Sequence, residues 1–289
     1  MGNVVYVDGQ FFTEAKAVLS PLDRGFTMAD GVFDTMVGSG DSIFRLDDHL
    51  DRLTHAAKIL HIEPPNRIAL ENALIETSKM SLFQYHVTRI TITRGKDPGR
   101  GLDIDPNIKP SIVIRTIQWH GPDNPMPGPR ILTISNIPKN HLSPIATIKS
   151  LSYVEGIISR MEAKLSGADD ALILNAQGRV TGSTSSNIFA VRNNSLVTPT
   201  MKDGALPGIA RLTVIEQAKA LGIKVEEAPI IVADFPNFHE VFLTNVVTGI
   251  MPVKSLSGTD FSSNGADQPI TSLVAKSYWD RVRSSIHTC

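Results

Sequence analysis

Trp119-His120-Gly121-Pro122-Asp123-Asn124-Pro125-Met126-Pro127-Gly128-Pro129 divides this chain. Four prolines and two glycines in eleven residues cannot continue a helix, where an interior proline deletes a backbone hydrogen bond, nor a central strand. By composition the segment is an exposed linker or a lid. Read as a linker, it separates an N-terminal domain, 1–118, from a C-terminal domain, 130–289, with 119–129 between them. On both sides the apolar pattern switches between the strand period and the helix period, which describes a mixed α/β protein.

Before the linker, Val4-Val5-Tyr6-Val7 followed by Asp8-Gly9 reads as a strand entering a turn. Leu46 to Leu60 reads as a helix capped by Asp47 or Asp48, with Leu50, Leu53, Ala57 and Leu60 on one face. A second helix runs from about Asn66 to Met80. Thr88 to Arg94 alternates, with Ile90 and Ile92 on one side and Thr91 and Thr93 on the other, and Ile112–Ile114 is a further strand. After the linker, Ile131–Ile134 is a strand. A helix over about Ser152–Ser166 puts Tyr153, Ile157, Met161 and Leu165 on one stripe. Short strands follow at Ala171–Leu174, Asn187–Val191, Ser195–Thr198, Ile223–Glu227 and Glu240–Thr244. Helices begin near Gly208, stopping before Gly222, and span Pro269–Val282.

Charge and composition remove several classes of function. Lys and Arg number 28 against 29 Asp and Glu, so neither a basic nucleic-acid surface nor a polybasic membrane patch is expected. No apolar run approaches the roughly 20 residues of a membrane span. The opening Met1-Gly2-Asn3-Val4-Val5 lacks the basic-then-apolar order of a signal peptide, and Tyr6 stands where a myristoylation signal has Ser or Thr. The one cysteine, Cys289, allows no internal disulfide, and the eight histidines show no metal-ligand spacing. The expectation is a cytoplasmic protein without a metal.

Five places could carry chemistry. Lys149, after the apolar and hydroxyl-bearing Ile145-Ala146-Thr147-Ile148, could be a poorly solvated nucleophile or an ordinary lysine near a helix start. Leu206-Pro207-Gly208-Ile209-Ala210-Arg211 could offer helix N-terminal amides to a phosphate or simply initiate a helix. Arg52 could reach a phosphate or pair with Asp48 on the solvated helix face. Arg94-Gly95-Lys96-Asp97-Pro98-Gly99-Arg100-Gly101 could clamp a carboxylate or be a basic surface loop. Thr244-Asn245-Val246-Val247-Thr248-Gly249, after an apolar strand, could form a second amide-lined turn.

The order of short motifs carries a resemblance. Asp23-Arg24-Gly25-Phe26 precedes Asp30-Gly31-Val32-Phe33-Asp34-Thr35, His49-Leu50-Asp51-Arg52-Leu53 and Thr93-Arg94-Gly95. Lys149 then stands before its helix, ahead of Gly167–Leu172, Gly178-Arg179-Val180, Ser186-Asn187-Ile188-Phe189, Pro207–Arg211 and Glu240–Thr244. Together they resemble the class IV aminotransferases, fold-type IV enzymes that use pyridoxal 5′-phosphate. That group includes D-amino-acid and branched-chain aminotransferases, R-selective amine transaminases and aminodeoxychorismate lyase.

The resemblance implies two α/β domains of the D-amino-acid aminotransferase type, with the cofactor at their junction, and a homodimer. It implies Lys149 as the Schiff-base lysine and proton shuttle, and Arg52 with the backbone of Ile209, Ala210, Val246 and Val247 around the cofactor phosphate. Tyr153 lies one residue from the position of a tyrosine that meets the cofactor's 3-oxygen. Phe33 and Arg100 would face the substrate, an amino acid (D-amino acids included) or R-amine paired with a 2-oxo acid.

One departure bears on the chemistry. Family members carry Glu in Gly-x-Val-x-Glu-Gly-Ser, where it keeps the pyridine nitrogen protonated. Here the run is Gly178-Arg179-Val180-Thr181-Gly182-Ser183-Thr184, with Gly182 at the acid's position and the hydroxyls of Ser183 and Thr184 as partial substitutes. Ala210 stands where many members have a phosphate-binding Thr. The expected function is a pyridoxal-phosphate-dependent aminotransferase. The alternatives are aminodeoxychorismate lyase and a catalytically weak relative that binds the cofactor or another phosphate ligand.

Overall fold

The computed structural model describes residues 4–99, 101–123, 128–261 and 269–286. The chain forms two compact units. One gathers Met1–Asn124, Ile148–Ser152 and Val282–Cys289, the other Pro125–Thr147 and Tyr153–Arg281. Division by packing thus differs from division by sequence around Lys149, which goes with the first unit.

In the first unit, strands β1 (Val4–Val7), β2 (Gln10–Thr13), β3 (Gly31–Ser39), β4 (Ser42–Ile43), β5 (Tyr85–Thr93) and β6 (Ser111–Gln118) form one sheet in the order β2-β1-β6-β5-β3-β4. Every neighbouring pair is antiparallel. The turn between β1 and β2 is Asp8-Gly9, both residues at positive φ (47° and 95°), as a tight two-residue hairpin requires. Short helix α1 (Arg24–Met28) precedes β3, while α2 (Leu46–Ile59) and α3 (Arg67–Met80) join β4 to β5. Leu50 and Leu53 of α2 and Leu70 and Leu74 of α3 pack with Val32, Met36, Ile90, Ile92 and Ile114 of the sheet. The alternation seen around Ile90 and Ile92 is therefore the helix-covered side of β5.

One element goes unread in the sequence and one expectation changes. β3, a nine-residue central strand, is not marked by the sequence because Gly31–Ser39 is buried on both faces and so does not alternate. Nor is α2 capped by Asp47 or Asp48. Its N-cap is Arg45 in the left-handed region without a side-chain cap bond, and Arg45 Nε pairs with Asp48 Oδ2 at 2.6 Å.

The second unit holds β7 (Arg130–Ile134), β8 (Asp170–Leu174), β9 (Val180–Ser183), β10 (Asn187–Arg192), β11 (Ser195–Thr198), β12 (Val225–Glu227), β13 (Glu240–Asn245), β14 (Gly249–Leu256) and β15 (Thr259–Asp260). Their order is β12-β11-β10-β13-β14-β7-β8-β9, with β15 on β14. Helices α4 (Val154–Leu165) and α5 (Ile209–Ala220) belong to this unit, as does α6 (Pro269–Ile286) up to Arg281. A core of Leu172, Val180, Ile188, Val241, Leu243 and Val253, closed by Phe235, Phe238 and Phe261, joins these strands. On α4 the stripe of Ile157, Met161 and Leu165 is exposed, and the helix buries Ser159 and Ala163 instead.

Candidate active site

Lys149 is set by backbone pairing with β3. Phe33 N donates to Lys149 O at 2.9 Å, Leu151 N donates to Gly31 O at 3.0 Å, and Val32 and Ser150 form an antiparallel bridge. The close approach needs glycine at 31, where a Cβ would lie 2.6 Å from Ile92 O and 2.9 Å from Leu151 Cδ1. The Lys149 Nζ stands 4.6 Å from the centroid of the Phe33 ring, and the Arg89 guanidinium carbon 3.6 Å from the same centroid. Both lie within cation–π range of the ring's negative face. Arg89 reaches it because β3 and β5 pair Phe33 with Thr91 and Thr35 with Arg89.

The sequence reading did not single out Arg89. Its signal was present: in Thr88–Arg94 it shares the polar side of the alternation with Thr91 and Thr93. Arg100 lies outside the described residues.

Asp34, the next residue after Phe33, faces the helices. Arg52 Nε donates to Asp34 Oδ2 at 2.8 Å and Arg52 Nη2 to Asp34 Oδ1 at 2.7 Å. His49 Nδ1 lies 2.9 Å from Oδ1, and Thr35 N donates to it at 2.7 Å. Arg52 therefore pairs with Asp34, a partner the sequence reading did not consider. Burial by itself would raise the Asp34 carboxyl, but the charge of Arg52 together with His49 outweighs it and holds the group well below the usual carboxylate range. Burial pushes His49 down in spite of Asp34. Facing an ionised carboxylate, which can only accept, Nδ1 is the donor to Asp34, and Nε2 is buried with no hydrogen-bond partner among the described residues.

In the second unit, Gly182 and Ser183 end β9. Gly182 has φ 152°, and a Cβ there would meet Ser186 O at 2.6 Å, so any side chain, the family's Glu included, displaces backbone. Of the two substitute hydroxyls, Thr184 is engaged: it donates to Asp170 Oδ1 at 2.6 Å and accepts from Arg160 Nε at 2.9 Å. Ser183 Oγ is buried with no hydrogen-bond partner among the described residues.

The two candidate amide turns are joined through the strand pair β10–β13, where Asn187 stands opposite Thr244. Asn187 Nδ2 donates to Leu206 O at 2.8 Å, and a Cβ on Gly208 would fall 2.0 Å from Asn187 Oδ1. Gly208 is the N-cap of α5 and has no side-chain cap bond. The first intrahelical bond runs from Leu212 N to Gly208 O, so the amides of Ile209 and Ala210 have no acceptor inside the helix. In the other turn, Val247 N donates to Asn245 Oδ1 at 3.0 Å, while Val246 is half-buried beside it. Tyr153 is the N-cap of α4, half-buried, its carbonyl accepting from Ile157 N.

These residues fit a phosphorylated ring cofactor in part. The start of α5 offers amides for an anion, and the hydroxyls of Ser183 and Thr244 are buried with no hydrogen-bond partner among the described residues. A carboxylate for a ring nitrogen is what Gly182 does not supply.

Known proteins resemble this chain over most of its length. Residues 31–256 match the family described as amino-transferase class IV. A Methanocaldococcus jannaschii protein provisionally named a branched-chain-amino-acid aminotransferase is 33% identical over 263 residues, covering 88% of each chain. Aminodeoxychorismate lyase of Bacillus subtilis is 26% identical, over 98% of this chain and 96% of its own. The branched-chain aminotransferase of Thermoproteus uzoniensis, solved with norvaline, superposes with a TM-score of 0.88 at 28% identity, over 99% of this chain and 95% of that one. The chain belongs to the class IV aminotransferases, the fold-type IV enzymes that work with pyridoxal 5′-phosphate.

Proposed function

We propose that this aminotransferase moves an amino group between a carboxylate-bearing amino acid and a 2-oxo acid, with Lys149 as the amine that carries the cofactor and moves a proton at the substrate's Cα. The observation behind this is the gathering of Lys149 and Arg89 on the Phe33 ring. A lysine amine and a guanidinium, the latter suited to a carboxylate, thus share one aromatic ring as neighbour. A cation there favours amino acids over simple amines as donors. When bound, pyridoxal 5′-phosphate supplies the ring that accepts electrons as a bond at Cα breaks.

Other residues take these roles in the same reading. The Ile209, Ala210 and Val246 amides and Arg52 receive the phosphate. Val247 shapes its turn. Tyr153 borders the ring, Phe33 and Arg100 the substrate. Ser183, whose hydroxyl has no other partner among the described residues, meets the ring nitrogen in place of a carboxylate. The protein works in the cytoplasm as a homodimer; the exposed apolar stripe of α4 and exposed Leu22 and Phe26 support the dimer, and its mass in solution tests it.

Borohydride treatment of the protein loaded with pyridoxal 5′-phosphate, followed by peptide mass spectrometry, should find the pyridoxyl label on Lys149. A label elsewhere, or none, overturns the assignment. Amino transfer from a panel of L- and D-amino acids to 2-oxo acids then defines the donor. Pyruvate released from aminodeoxychorismate without an added oxo acid would instead mark the lyase.

A further inference from the structure

Asn245 stands at the end of β13 and makes four side-chain contacts. Its Oδ1 accepts from Val247 N at 3.0 Å, from Thr248 N at 2.9 Å and from Thr248 Oγ1 at 2.9 Å. Its Nδ2 donates to Ser186 Oγ at 3.1 Å. Ser186 precedes Asn187, the residue that holds Leu206 O and fills the space beside Gly208. One carboxamide therefore closes the 245–248 turn and ties it to the strand end that locates the start of α5. Thr244, the residue before Asn245, has a buried hydroxyl with no hydrogen-bond partner among the described residues, a polar atom with unused bonding capacity.

We infer that Asn245 is a positioning residue for the cofactor phosphate: by drawing the Val247 and Thr248 amides inward it assigns Val246 N–H to the phosphate and fixes that amide relative to Ile209 and Ala210. The inference rests on the proposed phosphate role of these amides. A carboxamide suits the task because one planar group accepts several N–H and O–H bonds while donating another. Being uncharged, it adds no repulsion toward a dianion. Alanine removes all four contacts, whereas serine keeps a short acceptor that reaches the amide two residues on.

The test is equilibrium binding of pyridoxal 5′-phosphate and of pyridoxal, which lacks the phosphate, to full-length apoprotein, read by cofactor absorbance. In the wild type the phosphate ester should bind at least about 100-fold more tightly, the scale of a few charge-assisted hydrogen bonds. Equal binding would remove the phosphate reading itself. Given that preference, Asn245→Ala should weaken pyridoxal 5′-phosphate about tenfold or more and leave pyridoxal unchanged. Hydrogen exchange at the Val247 and Thr248 amides should accelerate in the same variant. Asn245→Ser should fall between it and the wild type, and it carries the test if the alanine variant fails to fold. Unchanged affinity for both ligands, or equal weakening of both, overturns the role of Asn245 while leaving the phosphate reading in place.

Discussion

Asp34 holds Arg52 by the side-on edge of its guanidinium, Nε to Oδ2 at 2.8 Å and Nη2 to Oδ1 at 2.7 Å, with the carboxylate fully buried. Removing one member of a buried pair strands the other charge and typically costs about 3–5 kcal/mol. Asp34→Ala should therefore lose stability on that scale in urea denaturation of the apoprotein. A variant as stable as the wild type would show that the pair is not carrying the fold.

The same carboxylate sets a pH dependence. Its folded pKa lies below the unfolded one, so its contribution is complete above the ordinary aspartate range, near about pH 4. It is lost progressively as pH falls below that range and on toward the folded value. Denaturation midpoints of the wild type should fall through this acid window more steeply than those of Asp34→Asn.

Lys139 gives the opposite window. Burial lowers its ammonium from 10.5 to about 8, although Glu155 works against the shift, and its Nζ donates to Gly204 O at 2.8 Å. Between those two values the unfolded chain holds the proton that the folded chain has released, so stability rises with pH there and is flat just below pH 8. Lys139→Met should abolish that alkaline rise in thermal melts.

Arg89→Ala should raise the KM of the 2-oxo acid about 10- to 100-fold, the worth of one charged hydrogen-bonding partner, with a smaller change in kcat. Arg89→Lys should recover part of it, since an ammonium supplies the charge without the planar fork. Steady-state kinetics with the oxo acid varied checks both. An unchanged KM would move the carboxylate site elsewhere, Arg100 being the next residue to test.

Gly182→Ala should destabilise the protein by about 1–3 kcal/mol, because φ 152° and the Ser186 carbonyl both oppose a Cβ. Gly182→Glu meets the same obstacle, so low activity in that variant would not count against a role for a ring-nitrogen acid. Thermal melts of Gly182→Ala decide whether the backbone argument holds.

Much of the architecture is legible in the chain because amphipathic periods report one-sided burial: Leu50 and Leu53 announce α2, and Ile90 and Ile92 announce the covered side of β5. β3 is illegible for the complementary reason that its two faces are both buried. Lys149, Phe33 and Arg52 emerge from ordered motifs. Arg89 and Asn245 depend on register and turn closure, which bring together residues that linear spacing keeps apart. The exposed stripe on α4 shows that an apolar period identifies a face without naming what lies against it.

Phe33 and Asp34 are successive residues of β3, one beside the proposed nucleophile and the other gripped by Arg52 and His49. Because Lys149 is stitched by its main chain to that same strand, its amine swings on a tether whose mounting is held by a buried charge pair. The hold of α2 on Asp34 thereby reaches the Lys149 main chain through one peptide bond and the Phe33 N–Lys149 O hydrogen bond. Loosening the ion pair should blur the position of the amine as well as weaken the fold.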